Sequence, residues 1–111
     1  MVVSGLMSEK RKPTYDIEAV KATFSAVDRL NVTGSALRGA TLLGFVRADM
    51  VAIIQTIERR HFYKSMTSHR DHRVWQDVYH VPSREGTLYV KFTADAVAEF
   101  LLLSFKEKVD E

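Results

Sequence analysis

Leu88-Tyr89-Val90-Lys91-Phe92-Thr93 alternates core-forming side chains with polar ones, and a period of two marks a strand with one covered and one open face. Upstream stand Phe62-Tyr63-Lys64-Ser65-Met66-Thr67 and Trp75-Gln76-Asp77-Val78-Tyr79, and downstream Ser104-Phe105-Lys106-Glu107-Lys108. Turn-like segments separate them: 69–73, 81–86 with Pro82 and Gly86 as punctuation, and 94–99. The pattern predicts four strands, at about 62–68, 74–80, 87–93 and 100–106, in one antiparallel meander.

The residues before the meander read as helical support. Thr14 or Asp16 caps a helix whose apolar positions Ile17, Val20, Phe24 and Val27 share one face. Residues 30–33 suit a short edge strand or an extended connector. Gly34-Ser35 opens a small helix, with Ala36, Leu37, Ala40 and Leu43 for close packing and Gly44 as its left-handed stop. A longer helix starts at Val46, carries Met50, Ile53, Ile54 and Ile57, and runs to about Arg59, as the main helix laid on the sheet. Arg59 and Arg60 then offset its negative carbonyl end, with phosphate binding as their other reading. Helices followed by a meander make an α+β fold, with about three N-terminal helices on one face of an antiparallel sheet. Residues 1–13 are expected to be a disordered lead and 14–111 a single domain.

Composition excludes several classes. The chain has 111 residues, 46% of them hydrophobic, enough for one core. It has no cysteine, so no disulfide framework or thiolate metal site is available. The segment 1–7 is too short for a signal-peptide core, and its basic residues Lys10, Arg11 and Lys12 follow it. No run approaches the roughly 20 apolar residues that cross a bilayer, so the expected location is the cytoplasm. A net charge of +2 permits a nucleic acid partner without requiring one.

Alternation sorts the strand residues by face. Leu88, Val90 and Phe92 should meet the helices, and so should Leu101, Leu103 and Phe105. Tyr89, Lys91, Ser104 and Lys106 then lie on the open side. On the second strand Trp75 and Tyr79 share a face with Asp77, which needs a partner if that face is covered. Pairing Ser68 with Val74 brings Lys64 and Gln76 to one side. Pairing His80 with Thr87, and Thr93 with Phe100, sets Tyr89 and Lys91 opposite Val78 and Gln76 and adds Lys106. The result is one face bearing Lys64, Gln76, Tyr89, Lys91 and Lys106. Lysines meet phosphates and a ring stacks on a base, so such a face suits a nucleic acid strand. Exposed lysines also guard sheets against aggregation, and the pattern by itself leaves both readings open.

On the three flanking phrases quoted above, from Phe62, Trp75 and Ser104, with Asp71-His72 and Tyr89-Val90-Lys91, the chain resembles the MqsR family of bacterial type II toxins, which share the RelE-like ribonuclease fold. The match runs from about residue 16 to 108 and is closest in the sheet. It implies an mRNA endonuclease that needs no metal or cofactor and arrests growth under stress. It also implies an antitoxin of the MqsA type, with a zinc-binding module and a helix-turn-helix domain, through which alone DNA is reached. The family's active-site positions fall on Lys64, Gln76, Tyr89 and Lys106. Lys91, with Arg70 and Arg73 in the first hairpin loop, is expected to contact RNA.

Metal-free cleavage of RNA needs a 2′-hydroxyl deprotonated, phosphate charge stabilised and the departing 5′ oxygen protonated, giving 2′,3′-cyclic phosphate and 5′-hydroxyl ends. Lys64 and Lys106 fit the charge role, Tyr89 the acid/base role and Gln76 the orienting role. Histidine is the usual acid/base near neutrality. His61, His69, His72 and His80 are nonetheless read as surface or packing residues, because the family positions do not fall on them. The competing function is an RNA- or ribosome-binding module that does not cut.

Overall fold

A computed structural model describes residues 8–109. The elements run β1 (Glu9–Lys10), α1 (Ile17–Thr23), α2 (Gly34–Leu42), α3 (Arg47–Gln55), β2 (Phe62–Thr67), β3 (Trp75–Ser83), β4 (Gly86–Asp95) and β5 (Glu99–Glu107). The strands lie in sequence order in one antiparallel sheet with the helices on one side, an α+β fold.

The helices begin where their caps dictate. Asp16 accepts from the Glu18 amide, and Thr33 accepts from the Ala36 amide. The Thr33 cap stands one residue ahead of the expected Gly34-Ser35. Gly44 follows α2 at φ +82°, the expected left-handed stop. Ala36 and Ala40 are fully buried, and a Cβ on Gly39 would collide with the Phe105 carbonyl oxygen. Small residues thus bring α2 closest to the sheet, a place expected of α3. The latter ends at Gln55, short of Arg59. Its Gln55 amide donates to the Lys21 and Phe24 carbonyls, and the Thr56 hydroxyl donates to Ile53 O. Arg59 and Arg60 therefore belong to a separate 3₁₀ turn. Arg59 stacks over Phe62 and Arg60 pairs with Glu58, so neither caps a long helix.

Residues 31–33 run beside β5 as the expected edge connector, with Val32 bridging Leu102 in parallel. The lead differs from its expectation. The part at 1–7 lies outside the described residues, but Glu9–Lys10 add a fifth strand to β2. Asp77 explains why the chain is held here. Its fully buried carboxylate accepts from the Thr14 and Tyr15 amides at 2.9–3.1 Å, the partners its burial required.

Two registers differ from those expected. The β2–β3 pairing is as predicted, with Lys64 opposite Val78 and Met66 opposite Gln76. In β3–β4, His80 stands opposite Tyr89, because β3 continues through Pro82 to Ser83 and turns on Arg84 and Glu85 alone. Proline is tolerated there because β2 has ended opposite Tyr79, leaving β3 without a neighbour on that side. Gly86, at φ +94°, closes the turn.

In β5 the pairing jumps between Lys91–Ser104 and Phe92–Leu102, so Leu103 is an extra, bulged residue. Its carbonyl accepts the Thr33 hydroxyl at 3.1 Å. The bulge reverses the alternation at that point. Phe100, Leu102 and Phe105 enter the core, in place of the expected Leu101, Leu103 and Phe105. Leu88, Val90 and Phe92 are buried as expected, packed with Tyr79 and with Val20, Phe24, Met50 and Ile54 from the helical layer.

Candidate nucleic-acid interface

On the open side of the sheet the side chains stand in transverse rows, set by register and alternation. One row holds Met66, Gln76 and Thr93; the next holds Lys64, Val78, Lys91 and Ser104; the third holds His80, Tyr89 and Lys106. A second bulge completes the third row. Pairing jumps from Phe62–Tyr79 to Lys64–Val78, so Tyr63 is extra and lies beside Lys64, with its ring stacked on His80 at 4.2 Å. Val78, fully buried and outside the helix-side core, forms the floor between Lys64 and Lys91.

All five residues assigned to this face from the sequence do share it. They are not equally close. Tyr89 and Lys106 are cross-strand neighbours, with the Lys106 ammonium 5.3 Å from the ring centre. Lys64 and Lys106 stand three strands apart, about 15 Å between backbones, which long side chains can bracket. Gln76 lies two rows from Tyr89. Arg70 and Arg73 sit in the loop beyond Gln76, away from the tyrosines, and Arg73 is paired with Asp71.

The electrostatics follow from this packing. Lys64 is held charged more firmly than an ordinary lysine, first through its hydrogen bond to Glu9 at 2.7 Å. Lys91 gives up its proton more readily, because burial and then the Lys106 and Lys64 charges disfavour its ammonium. Among the described residues no carboxylate lies within ion-pair distance of Lys91 or Lys106. Tyr89 holds its proton above the ordinary phenol range, mainly through burial, with Lys64 opposing. An anion between these ammoniums would relieve their mutual repulsion.

Sequence reasoning missed three members. Tyr63 reaches the face only through its bulge. Glu9 comes from a lead expected to be disordered. His80 was legible, since it continues the alternation Gln76, Val78, His80, but the assumed register set it against Thr87 instead of Tyr89. His69 and His72 are exposed in the loop. Among the described residues no three His, Asp or Glu side chains gather to hold a metal.

A basic, aromatic face on an open antiparallel sheet belongs to a class of surfaces whose chemistry suits a single nucleic acid strand. The chain belongs to the family described as "Motility quorum-sensing regulator, toxin of MqsA", whose profile matches residues 12–107. It is 39% identical over 100 residues to the mRNA interferase toxin MqsR of Escherichia coli (strain K12), a match covering 90% of this chain and 99% of that protein. No helix among the described residues is long and apolar enough to cross a membrane.

Proposed function

We propose that this protein is the toxin of a type II toxin–antitoxin pair, a RelE-like mRNA endoribonuclease acting in the cytoplasm. Cleavage proceeds by attack of a 2′-oxygen on the adjacent phosphorus and leaves 2′,3′-cyclic phosphate and 5′-hydroxyl ends. The antitoxin is of the MqsA type, with a zinc-binding module and a helix-turn-helix domain through which the pair meets DNA. The single observation that carries the reading is the gathering of Lys64, Lys91 and Lys106 around Tyr89 on a sheet face that none of the described helices covers, in a chain of this family.

Lys64 and Lys106 stabilise the charge that builds on the phosphorane oxygens, where fixed cations in a partly dehydrated site act most strongly. Tyr89, which keeps its proton well into the alkaline range, gives it to the departing 5′ oxygen. Lys91 contacts phosphate, Gln76 orients the nucleotide upstream of the scissile bond, and Arg70 and Arg73 follow the strand past Gln76. Because Glu9 occupies Lys64, an incoming phosphate exchanges with a carboxylate there, whereas among the described residues no carboxylate is paired with Lys91 or Lys106.

Purified protein mixed with protein-free RNA tests this, with product ends mapped. Cleavage at defined sites with 5′-hydroxyl ends is expected. Binding that leaves the RNA intact would make the protein a binding module and overturn the nuclease reading.

A further inference from the structure

The short strand β1 brings a carboxylate among the ammoniums of the open face. Glu9 stands opposite Met66, which lies on the open side, and Lys10 stands opposite Ser65, which is fully buried on the other. Alternation therefore turns Glu9 outward toward the lysines and Lys10 toward the Trp75 ring, 4.3 Å from its centre. Glu9 Oε2 accepts from the Lys64 ammonium at 2.7 Å, across 55 residues of chain.

The fold fixes β1 on both sides of this carboxylate. Before it, the Ser8 amide donates to the Thr67 hydroxyl at 2.8 Å, and the Thr67 amide donates to the Ser8 carbonyl at 2.9 Å. After it, the Arg11 guanidinium donates to the Tyr63 carbonyl at 3.3 Å, and the buried Asp77 carboxylate holds the Thr14 and Tyr15 amides. The ammonium it meets is well covered: the Lys64 side chain is 19% exposed, against 48% for Glu9. Glu9 thus presents to Lys64 what a phosphate presents, an anionic oxygen at hydrogen-bond distance. Among the described residues no carboxylate does this at Lys91 or Lys106.

We propose that Glu9 is an intramolecular stand-in for RNA phosphate, an autoinhibitory contact that keeps Lys64 engaged until a strand displaces it. A phosphate that reaches Lys64 gains one charge-assisted hydrogen bond as another is lost, so its net gain there is small. Lys91 and Lys106 offer it their charge without such a loss. The displaced carboxylate is half exposed already and turns to water. Removal of Glu9, or release of β1 from β2, makes all three ammoniums available at once, and the protein then holds RNA more tightly than the wild type does. This inference rests on the open face being the RNA site and does not depend on cleavage there.

The test measures binding, at low salt, of a 2′-O-methyl RNA oligonucleotide, which lacks the attacking hydroxyl and is not cut. Glu9→Gln and Glu9→Ala should each bind it about 3–10-fold more tightly than wild type, with folding confirmed by circular dichroism. In a Lys64→Met background, loss of the Glu9 carboxylate should change affinity by a smaller factor, because repulsion is removed but no ion pair is left to break. Unchanged or weaker binding by Glu9→Ala overturns the proposal, and Glu9 then supports Lys64 instead of competing for it. A gain confined to Glu9→Gln overturns it as well, since a new amide contact to phosphate would be the cause. An equal gain with and without Lys64 reduces Glu9 to a distant repulsion and also overturns it. Each of these leaves the RNA site standing, whereas a wild-type protein that neither binds nor cuts RNA overturns the proposed function and this inference together.

Discussion

The two sides of this sheet are made by alternate residues of the same strands, yet they share almost no chemistry. Toward the helices stand Tyr79, Leu88, Val90, Phe92, Leu102 and Phe105, all fully or almost fully buried, and the one charge among them, Asp77, is satisfied by two backbone amides. Toward solvent stand three ammoniums, an imidazole and two phenols. The covered side lowers its energy by complementarity within the chain. The open side retains repulsion and leaves Lys91 and Lys106 without an ion-pair partner among the described residues, which is a surface whose complement is another molecule. Stability and function are thus separated by parity, and substitutions should separate the same way.

The sharpest break of that division is Phe92→Ala. The ring is 1% exposed and stacks on Tyr79 at 5.7 Å, so its loss should cost about 3–5 kcal/mol in urea unfolding. A cost under about 1 kcal/mol would mean that the aromatic layer is not the core. The mirror experiment is Lys64→Ala beside Tyr89→Phe. Each should lower cleavage of RNA by about 10²–10³-fold while the thermal midpoint stays close to wild type. Full activity in both would remove the open face from the reaction.

Asp77→Ala probes the point where the sides meet the lead. Two backbone amides, of Thr14 and Tyr15, would lose their acceptor, at about 2–3 kcal/mol by denaturant. Amide exchange in residues 9–15 should accelerate before that of β3 or β4; uniform acceleration would deny Asp77 this local role.

The smallest effect is expected from Tyr79→Phe. This buried hydroxyl has no hydrogen-bond partner among the described residues, and burial, then Asp77, raises the phenol from 10.0 to about 12. Between those values the unfolded chain has lost the proton and the folded chain still holds it, so stability falls as pH rises through that window. Tyr79→Phe removes this contribution. Its unfolding midpoint should therefore decline less steeply than that of wild type between pH 10 and 12, and identical slopes would contradict it.

Much of this division is written locally. Leu88 to Thr93 declares its two faces by alternation, and Asp16, Thr33 and Gly44 mark helix ends through short-range chemistry that any chain must satisfy. What escaped the sequence depends on contacts between distant segments. Leu103 is bulged against Thr33, some 70 residues away in the chain, so the periodicity of β5 misassigned Leu101 and Leu103. The turn after Pro82 looked long because proline usually interrupts a strand, and only the early end of β2 makes it harmless. Candidate residues survived these errors because a register error of two preserves the face. Tyr63 did not survive them, since its place on this face depends on an inserted residue, and for His80 only the partner opposite it was misplaced.

The insertion at Leu103 has a consequence for how the chain tolerates changes in length. Every side chain from Ser104 onward owes its orientation to that additional position. Shortening the strand there by one would send Phe105 into water or Lys106 beneath the helices, whereas exchanging the leucine for another residue leaves the count intact. At this half-buried site a missing residue is therefore more damaging than a wrong one.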